Sequence, residues 1–259
     1  MPAEEKPPIP SVWAHPKRRK REQPALSRDQ IVAEALHLLD EEGVEALSMR
    51  RLGARLNAGA TSFYSHVANK DELIELVVDE VYGEITIADP HDGTDPALGA
   101  GPHDAWRGPA MRCARSLRSA ILRHPWMASV LGAVGVSYLG PNMMRLSEEL
   151  LGIFRKAGFP ADEADLAMTT LIAYVTGIAI GEAAWLTMVA RTGETEEHWF
   201  ERLLPTAEKA AESHPRLREK YAEQRDAHPG SVRDAKFEYG LQRVLDGLAA
   251  RLSAPGSGA

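Results

Sequence analysis

The sequence predicts an all-α protein, and three observations carry that prediction. Apolar residues recur at helical spacing along most of the 259 residues. Helix starts and stops are marked by local chemistry, with capping serines in front and glycine or polar breaks behind. No convincing strand pattern and no internal repeat is present. The apolar share of 44% is that of an ordinary globular chain, long enough for one large domain or two modest ones.

Taken in order, residues 1–24 hold six prolines and the basic run Lys17-Arg18-Arg19-Lys20-Arg21. They read as a disordered arm whose charges either stay solvated or reach phosphate or a minor groove. They have no apolar core of the kind a signal peptide needs. A first helical unit is expected over 25–85. Ser27, with Gln30 three residues on, has the capping-box pattern; Ile31, Ala35, Leu38 and Leu39 share one face, and Gly43 stops the helix. Ser48 caps a second, shorter helix with Met49, Leu52 and Leu56 inward. After the polar break Asn57-Ala58-Gly59 a third helix is expected from about Ala60 to Val67, with Phe63 and Val67 inward. Ala68-Asn69 breaks again, and Leu73, Ile74, Val77, Val78 and Val81 stripe a fourth helix.

Residues 86–103, rich in Gly, Pro and Asp, read as a linker or loop. Helices are then expected at about 104–124, 126–132, 141–157, 161–191, 195–212, 214–226 and 232–252, all within a second unit over 104–252, before a disordered tail at 253–259.

Net charge is −7 overall, yet Lys17 to Lys70 carries ten Lys/Arg against seven Asp/Glu. A mildly basic front on an acidic body provides one face for a polyanion. Two short helices joined by a tight turn form a helix-turn-helix, whose second helix enters the DNA major groove and meets base edges with its first residues. The small side chains Ala60, Thr61 and Ser62 suit that approach, and the Thr61 methyl can meet a thymine methyl. Phe63 anchors the helix while Tyr64 is left outward, toward the sugar–phosphate chain. Lys70 opens the next helix, where free N–H groups and its ammonium favour an anion; Ser48 can act similarly. Arg50, Arg51 and Arg55 are either a solvated face or phosphate ligands, with Arg50 the preferred contact.

From about Leu26 to Tyr82 the chain resembles the DNA-binding domain of the tetracycline-repressor (TetR) family. The matching stretches are IVAEALHLLDEEGVEALSMRRLGARLN and SFYSHVANKDEL, including the pair Tyr64 and His66 and the lysine Lys70 ahead of an acidic helix start. Ser65 and Val67 depart from the basic residue and phenylalanine that many members carry there. The resemblance implies that Ser48, Thr61, Ser62, Tyr64, His66 and Lys70 line the DNA side. It further implies that the rest of the chain is a helical domain that pairs with itself and encloses a small-molecule pocket.

Residue patterns in the body bear on both points. Ala173, Gly177 and Gly181 recur every four positions, a spacing that lets two helices approach closely. Phe237, Leu241, Val244, Leu248 and Leu252 form a second stripe, and the two helices together are expected to build a four-helix interface between two subunits; the other reading is a single chain's interior. Trp106, Met111, Met143, Met144, Met168, Tyr174, Trp185 and Met188 line an adaptable apolar pocket or simply fill the core. Tyr174 and Glu182 are its candidate polar contacts, because a carboxylate in so apolar a helix needs a partner or a ligand cation.

The stretch Leu166 to Ala190 carries one charge, Glu182, and is long enough to span a bilayer, but its Ala, Thr and Gly content and weak flanking charge favour burial over membrane insertion. The single cysteine, Cys113, cannot form an intramolecular disulfide, which points to a reducing cytoplasm. Among the nine histidines there is no H-x-x-x-H, and no G-x-S-x-G or P-loop occurs, so neither an enzyme nor a metal or cofactor site is expected. The functional expectation is a cytoplasmic repressor that binds a palindromic double-stranded operator as a homodimer and is released by an unidentified small-molecule effector. A constitutive regulator without ligand, and an all-α enzyme with a site assembled from distant residues, are the alternatives.

Overall fold

The computed structural model describes residues 26–57, 63–87, 105–133, 139–225 and 227–253. The expected arm, most of the expected linker, most of the tail, and residues 58–62 with Thr61 and Ser62 lie outside the described residues. Among the described residues there are ten α-helices and no strand.

The first helix, α1 (Arg28–Glu42), opens as its sequence dictates. The Ser27 hydroxyl accepts from the Gln30 N–H at 3.0 Å, and the Gln30 side chain accepts from the Ser27 N–H at 2.8 Å. Two otherwise unpaired donors are thereby satisfied, and Ile31, Val32, Ala35, Leu38 and Leu39 are buried. A 3-10 turn at Val44–Ala46 leads to α2 (Met49–Arg55), capped by Ser48. Just past α2, Asn57 takes a left-handed backbone conformation, φ +48°, which asparagine tolerates better than most residues. Phe63 and Val67 are buried, and the Phe63 carbonyl accepts from the N–H groups of His66 and Val67, closing one helical turn. Then α3 (Lys70–Gly83) starts on the Asn69 cap and packs against α1. These elements form the head.

The body holds α4 (Arg107–Arg123), α5 (Met127–Ala133), α6 (Pro141–Ala157), α7 (Ala161–Arg191), α8 (Glu196–Ala210), α9 (Pro215–Glu223) and α10 (Pro229–Ser253). All seven of these helices follow the expected ranges within about three residues, and α6 and α7 match them end to end. The last helix starts three residues earlier, at Pro229 rather than 232, because proline suits a first helical turn. At the centre lies α7, contacted by α4, α5, α6, α8 and α10. Its inward stripe is Ala164, Ala167, Leu171, Val175, Ala179 and Ala183. By length and composition α7 is apolar enough to cross a membrane; one of its faces feeds the helical core and the opposite face is exposed.

Head and body meet through α3 and α6. Asp79, buried on α3, accepts from the N–H groups of Asn142 and Met143 at 3.1 and 3.0 Å and so caps the start of α6 from another helix. Gly140 makes room for it: a Cβ there would sit 2.1 Å from the Asp79 carboxylate. The chain past α3 is not a free linker from residue 86 onward. Ile85 and Ile87 are buried, the Thr86 N–H donates to Ser116 Oγ at 3.0 Å, and Arg112 Nε donates to the Ile87 carbonyl at 3.0 Å.

Candidate nucleic-acid interface and the body behind it

The head presents the two aromatics of the SFYSH stretch in opposite ways. Phe63 is 2% exposed and locks into the core between α1 and α3, whereas Tyr64 is 48% exposed. Their rings lie edge to face at 6.3 Å, so the buried one props the outward one. Ser65 is exposed beside Tyr64, and His66 is half-buried.

The three arginines on α2 separate by their partners. Arg55 bonds Glu34 at 2.5 Å and Glu41 at 3.0 Å, and Arg51 pairs with Glu42. The Arg55 guanidinium holds the Glu41 carboxyl below its ordinary value, in spite of desolvation. Both arginines thus tie α2 to α1. Arg50 is exposed and has no ion-pair or hydrogen-bond partner among the described residues, which leaves its charge available to phosphate. Ser48 is exposed, its hydroxyl accepting from the Arg51 N–H at 3.2 Å. Lys70 is half-buried, and its ammonium donates to the Val44 carbonyl at 3.1 Å. It therefore braces α3 against the turn between α1 and α2 with one donor and keeps two.

Behind the head, several sequence expectations change. Glu182 is 8% exposed, and its partner is a residue the sequence reading did not connect to it: Arg118 Nε donates to the Glu182 carboxylate at 2.7 Å. The same guanidinium bonds Asp234 at 2.9 Å and lies 4.6 Å from the centre of the Phe237 ring. Tyr174 donates its hydroxyl to the Phe237 carbonyl at 2.7 Å, an approach that requires Gly240, since a Cβ there would stand 2.2 Å from the Tyr174 oxygen. Burial raises the Tyr174 hydroxyl above its ordinary pKa. Both candidate polar ligand contacts are therefore satisfied by protein groups.

The other expected pocket residues scatter over the body. Trp106 is 5% exposed and packs on Phe154 and Phe159 at 5.7 and 6.0 Å, and its indole N–H has no acceptor among the described residues. Met111 is buried, with its sulfur 3.6 Å from the Gln242 amide nitrogen. Met143 and Met168 are half-buried against the core. Trp185 donates to Glu196 at 2.9 Å and meets Trp199 edge to face at 4.5 Å. Cys113 is buried, which pushes its thiol up to about 12 and leaves it inert.

A polar seam that sequence reading missed joins α4 to α10. Arg107, Arg115 and Arg118 meet Asp246, Glu238 and Asp234 in antiparallel order. The signal was present as opposite charges at helical spacing on two segments more than a hundred residues apart.

The expected pairing stripe divides. Ala173, Gly177 and Gly181 are exposed, and a Cβ added to either glycine would meet nothing within 4 Å. They continue a stripe running from Leu166 through Thr170 and Ala184 to Met188, on the face of α7 opposite its core stripe. Phe237 and Leu241, expected at the same interface, are instead fully buried within the single chain and cannot face a partner. Val244 and Leu248 are partly buried against the same core. The reason is that α10 turns its apolar stripe onto α7 and α4, which leaves Lys236, Tyr239, Arg243 and Gly247 outward.

Comparison with known proteins agrees with this architecture. Residues 31–77 match the family described as bacterial regulatory proteins, tetR family, and residues 98–252 match the tetracyclin repressor-like C-terminal domain. The HTH-type transcriptional repressor DrrR1 of Streptomyces coeruleorubidus is 32% identical over 92% of this chain and 83% of its own. Among solved structures, ActR of Streptomyces coelicolor in complex with actinorhodin superposes with a TM-score of 0.68 at 32% identity, covering 88% of this chain and 97% of that one. BioQ, solved with its double-stranded DNA operator, gives a TM-score of 0.57 at 27% identity over 87% of this chain and 99% of its own. An outward tyrosine on a helix-turn-helix head, an all-helical body and matches across both halves lead to one conclusion: this chain belongs to the TetR family of bacterial regulatory proteins.

Proposed function

We propose that the chain is a cytoplasmic transcriptional repressor that binds a near-palindromic operator as a homodimer and is released by a small-molecule effector. The observation that carries this reading is the split between buried Phe63 and half-exposed Tyr64, which gives the head an outward aromatic held by an inward one. Tyr64, Ser48, Arg50 and one or two donors of Lys70 contact phosphates; Thr61 and Ser62 read bases, with His66 at the edge of the same surface. This division supports regulation rather than catalysis, as do the regulator names of the relatives.

Pairing follows from the exposed stripe on α7. An apolar face from Leu166 to Met188 is costly to leave in water, and its small residues let a second α7 approach closely. The domain limits proposed are a head over 25–85 and a body over 104–252, with Ile85 and Ile87 packed on α4 as their joint. For the effector, the buried Trp106 N–H is the contact favoured, since a ligand acceptor would satisfy it. ActR binds actinorhodin in its solved complex; a ligand of this chain shifts the equilibrium only as far as it prefers the DNA-free form.

The test is in-cell footprinting followed by duplex selection with purified protein. Two inverted half-sites, their centres about 34–36 Å apart or a multiple of that, are expected. Protection of a lone half-site by a monomer, or no protection at all, would overturn the reading.

A further inference from the structure

His124 stands at the C-terminal end of α4, 7% exposed, with a carboxylate from the head on each side of its ring. Its Nδ1 lies 2.7 Å from Asp40 of α1, and its Nε2 lies 3.1 Å from Glu84 at the end of α3. The Asp40 oxygen that meets Nδ1 also accepts the Trp126 indole N–H at 2.8 Å, and an indole nitrogen can only donate. That oxygen is therefore an acceptor, and Nδ1 is its second donor. Glu84 in turn is paired with Arg123. Burial works against the charge on Glu84, but the Arg123 hydrogen bond and His124 outweigh it and hold the carboxyl below its ordinary value. The groups facing the ring are thus Asp40 and Glu84, with Arg123 behind Glu84 and Trp126 beside Asp40.

A neutral imidazole has one N–H and can serve one of these carboxylates; its other nitrogen would aim a lone pair at the second. Only the doubly protonated ring bonds both. We propose that Asp40, His124 and Glu84 form a proton-dependent latch that fixes the head against the body. With the ring doubly protonated, α1 and the end of α3 are both held to α4. When the ring loses a proton, the shorter Nδ1 bond to Asp40 persists and the longer Nε2 contact to Glu84 opens. Glu84 is then tied to α4 by Arg123 alone, so the end of α3 is held to the body by one contact fewer. Because α3 also carries Asp79, which caps α6, the released motion is a tilt about that cap rather than detachment.

The experiment uses the full chain with spin labels on cysteines introduced by Glu45→Cys in the head and Glu148→Cys on α6, both exposed positions. The native Cys113 is buried and does not compete for label. Labelled chains diluted into excess unlabelled protein report the head-to-body distance within one chain, whether or not chains pair. The distance distribution is expected to be narrow at the acid end of a pH series and broader at its alkaline end. In His124→Gln and in Glu84→Gln it should lose that pH dependence; the second variant leaves the Asp40 contact in place should the first fail to fold. A pH-independent distribution in the unaltered chain, or a pH dependence that survives in Glu84→Gln, would overturn the latch. Operator binding measured on the same samples separates this result from the proposed function, which stands or falls by footprinting alone.

Discussion

Asp79 of α3 accepts the backbone N–H of Asn142 at 3.1 Å, and the Asn142 side chain returns a bond to the Asp79 carbonyl at 3.0 Å. One residue of the head therefore caps a helix of the body, and Gly140 leaves the space for it. Removing the carboxylate strands N–H groups at a buried helix start, which costs about 1–3 kcal/mol. Asp79→Ala should lower unfolding stability by that amount in urea denaturation. Gly140→Ala should cost a comparable amount, because its Cβ would collide with the same carboxylate. Wild-type midpoints for both variants would show that the cap contributes nothing.

The Arg118–Glu182 pair predicts a different pattern. Both side chains are largely buried, at 12% and 8% exposure. Removing Glu182 leaves the Arg118 guanidinium with the exposed Asp234 as its carboxylate, so Glu182→Ala should destabilise, by less than the about 3 kcal/mol of a fully stranded buried charge. Arg118→Met with Glu182→Leu should recover much of the loss, since no charge is then left inside. If the double variant is no more stable than the single one, the pair matters through its neighbours Asp234 and Phe237 instead.

Arg50 and Arg55 should behave differently on DNA although they share a short helix. Arg50→Ala should weaken binding to all duplexes alike and reduce the salt slope by about one phosphate contact. Arg55→Ala should act mainly on the head's own stability, because its guanidinium is bound by Glu34 and Glu41. Binding titrations across a salt series distinguish the two. An unchanged slope for Arg50→Ala would remove it from the interface.

On the acid side, Glu84 sets the expectation. Its folded-state pKa is lowered, with burial opposing and Arg123 and His124 outweighing it. Its contribution is therefore present above the unfolded carboxylate value and is lost as pH falls through the lower folded value. Thermal unfolding of Glu84→Gln should lie below that of the unaltered chain near neutral pH and converge with it under acid. A constant gap at every pH would show that charge on Glu84 is not the cause.

Much of the fold is local and so is readable along the chain. Ser27 with Gln30, Ser48, the Asn69 cap and Pro141 at the first turn of α6 act within three or four residues of themselves, which is why helix limits such as 141–157 and 161–191 follow from the sequence. The inward choice of Phe63 over Tyr64 follows the same logic, because helical spacing places Phe63 with Val67. The body's functional residues resisted the same reading. Spacing showed that α10 has an apolar stripe but not what it packs against, and Phe237 and Leu241 went to the chain's own core.

The sequence by itself determined the helices, their caps and the outward face of the head, since each depends on neighbours a few positions away. Only tertiary structure decided that Glu182 meets Arg118, that Tyr174 bonds across Gly240, and that His124 sits between Asp40 and Glu84. Those partners lie 40 to 84 residues apart, and a buried charge takes whichever partner the packing of distant helices delivers.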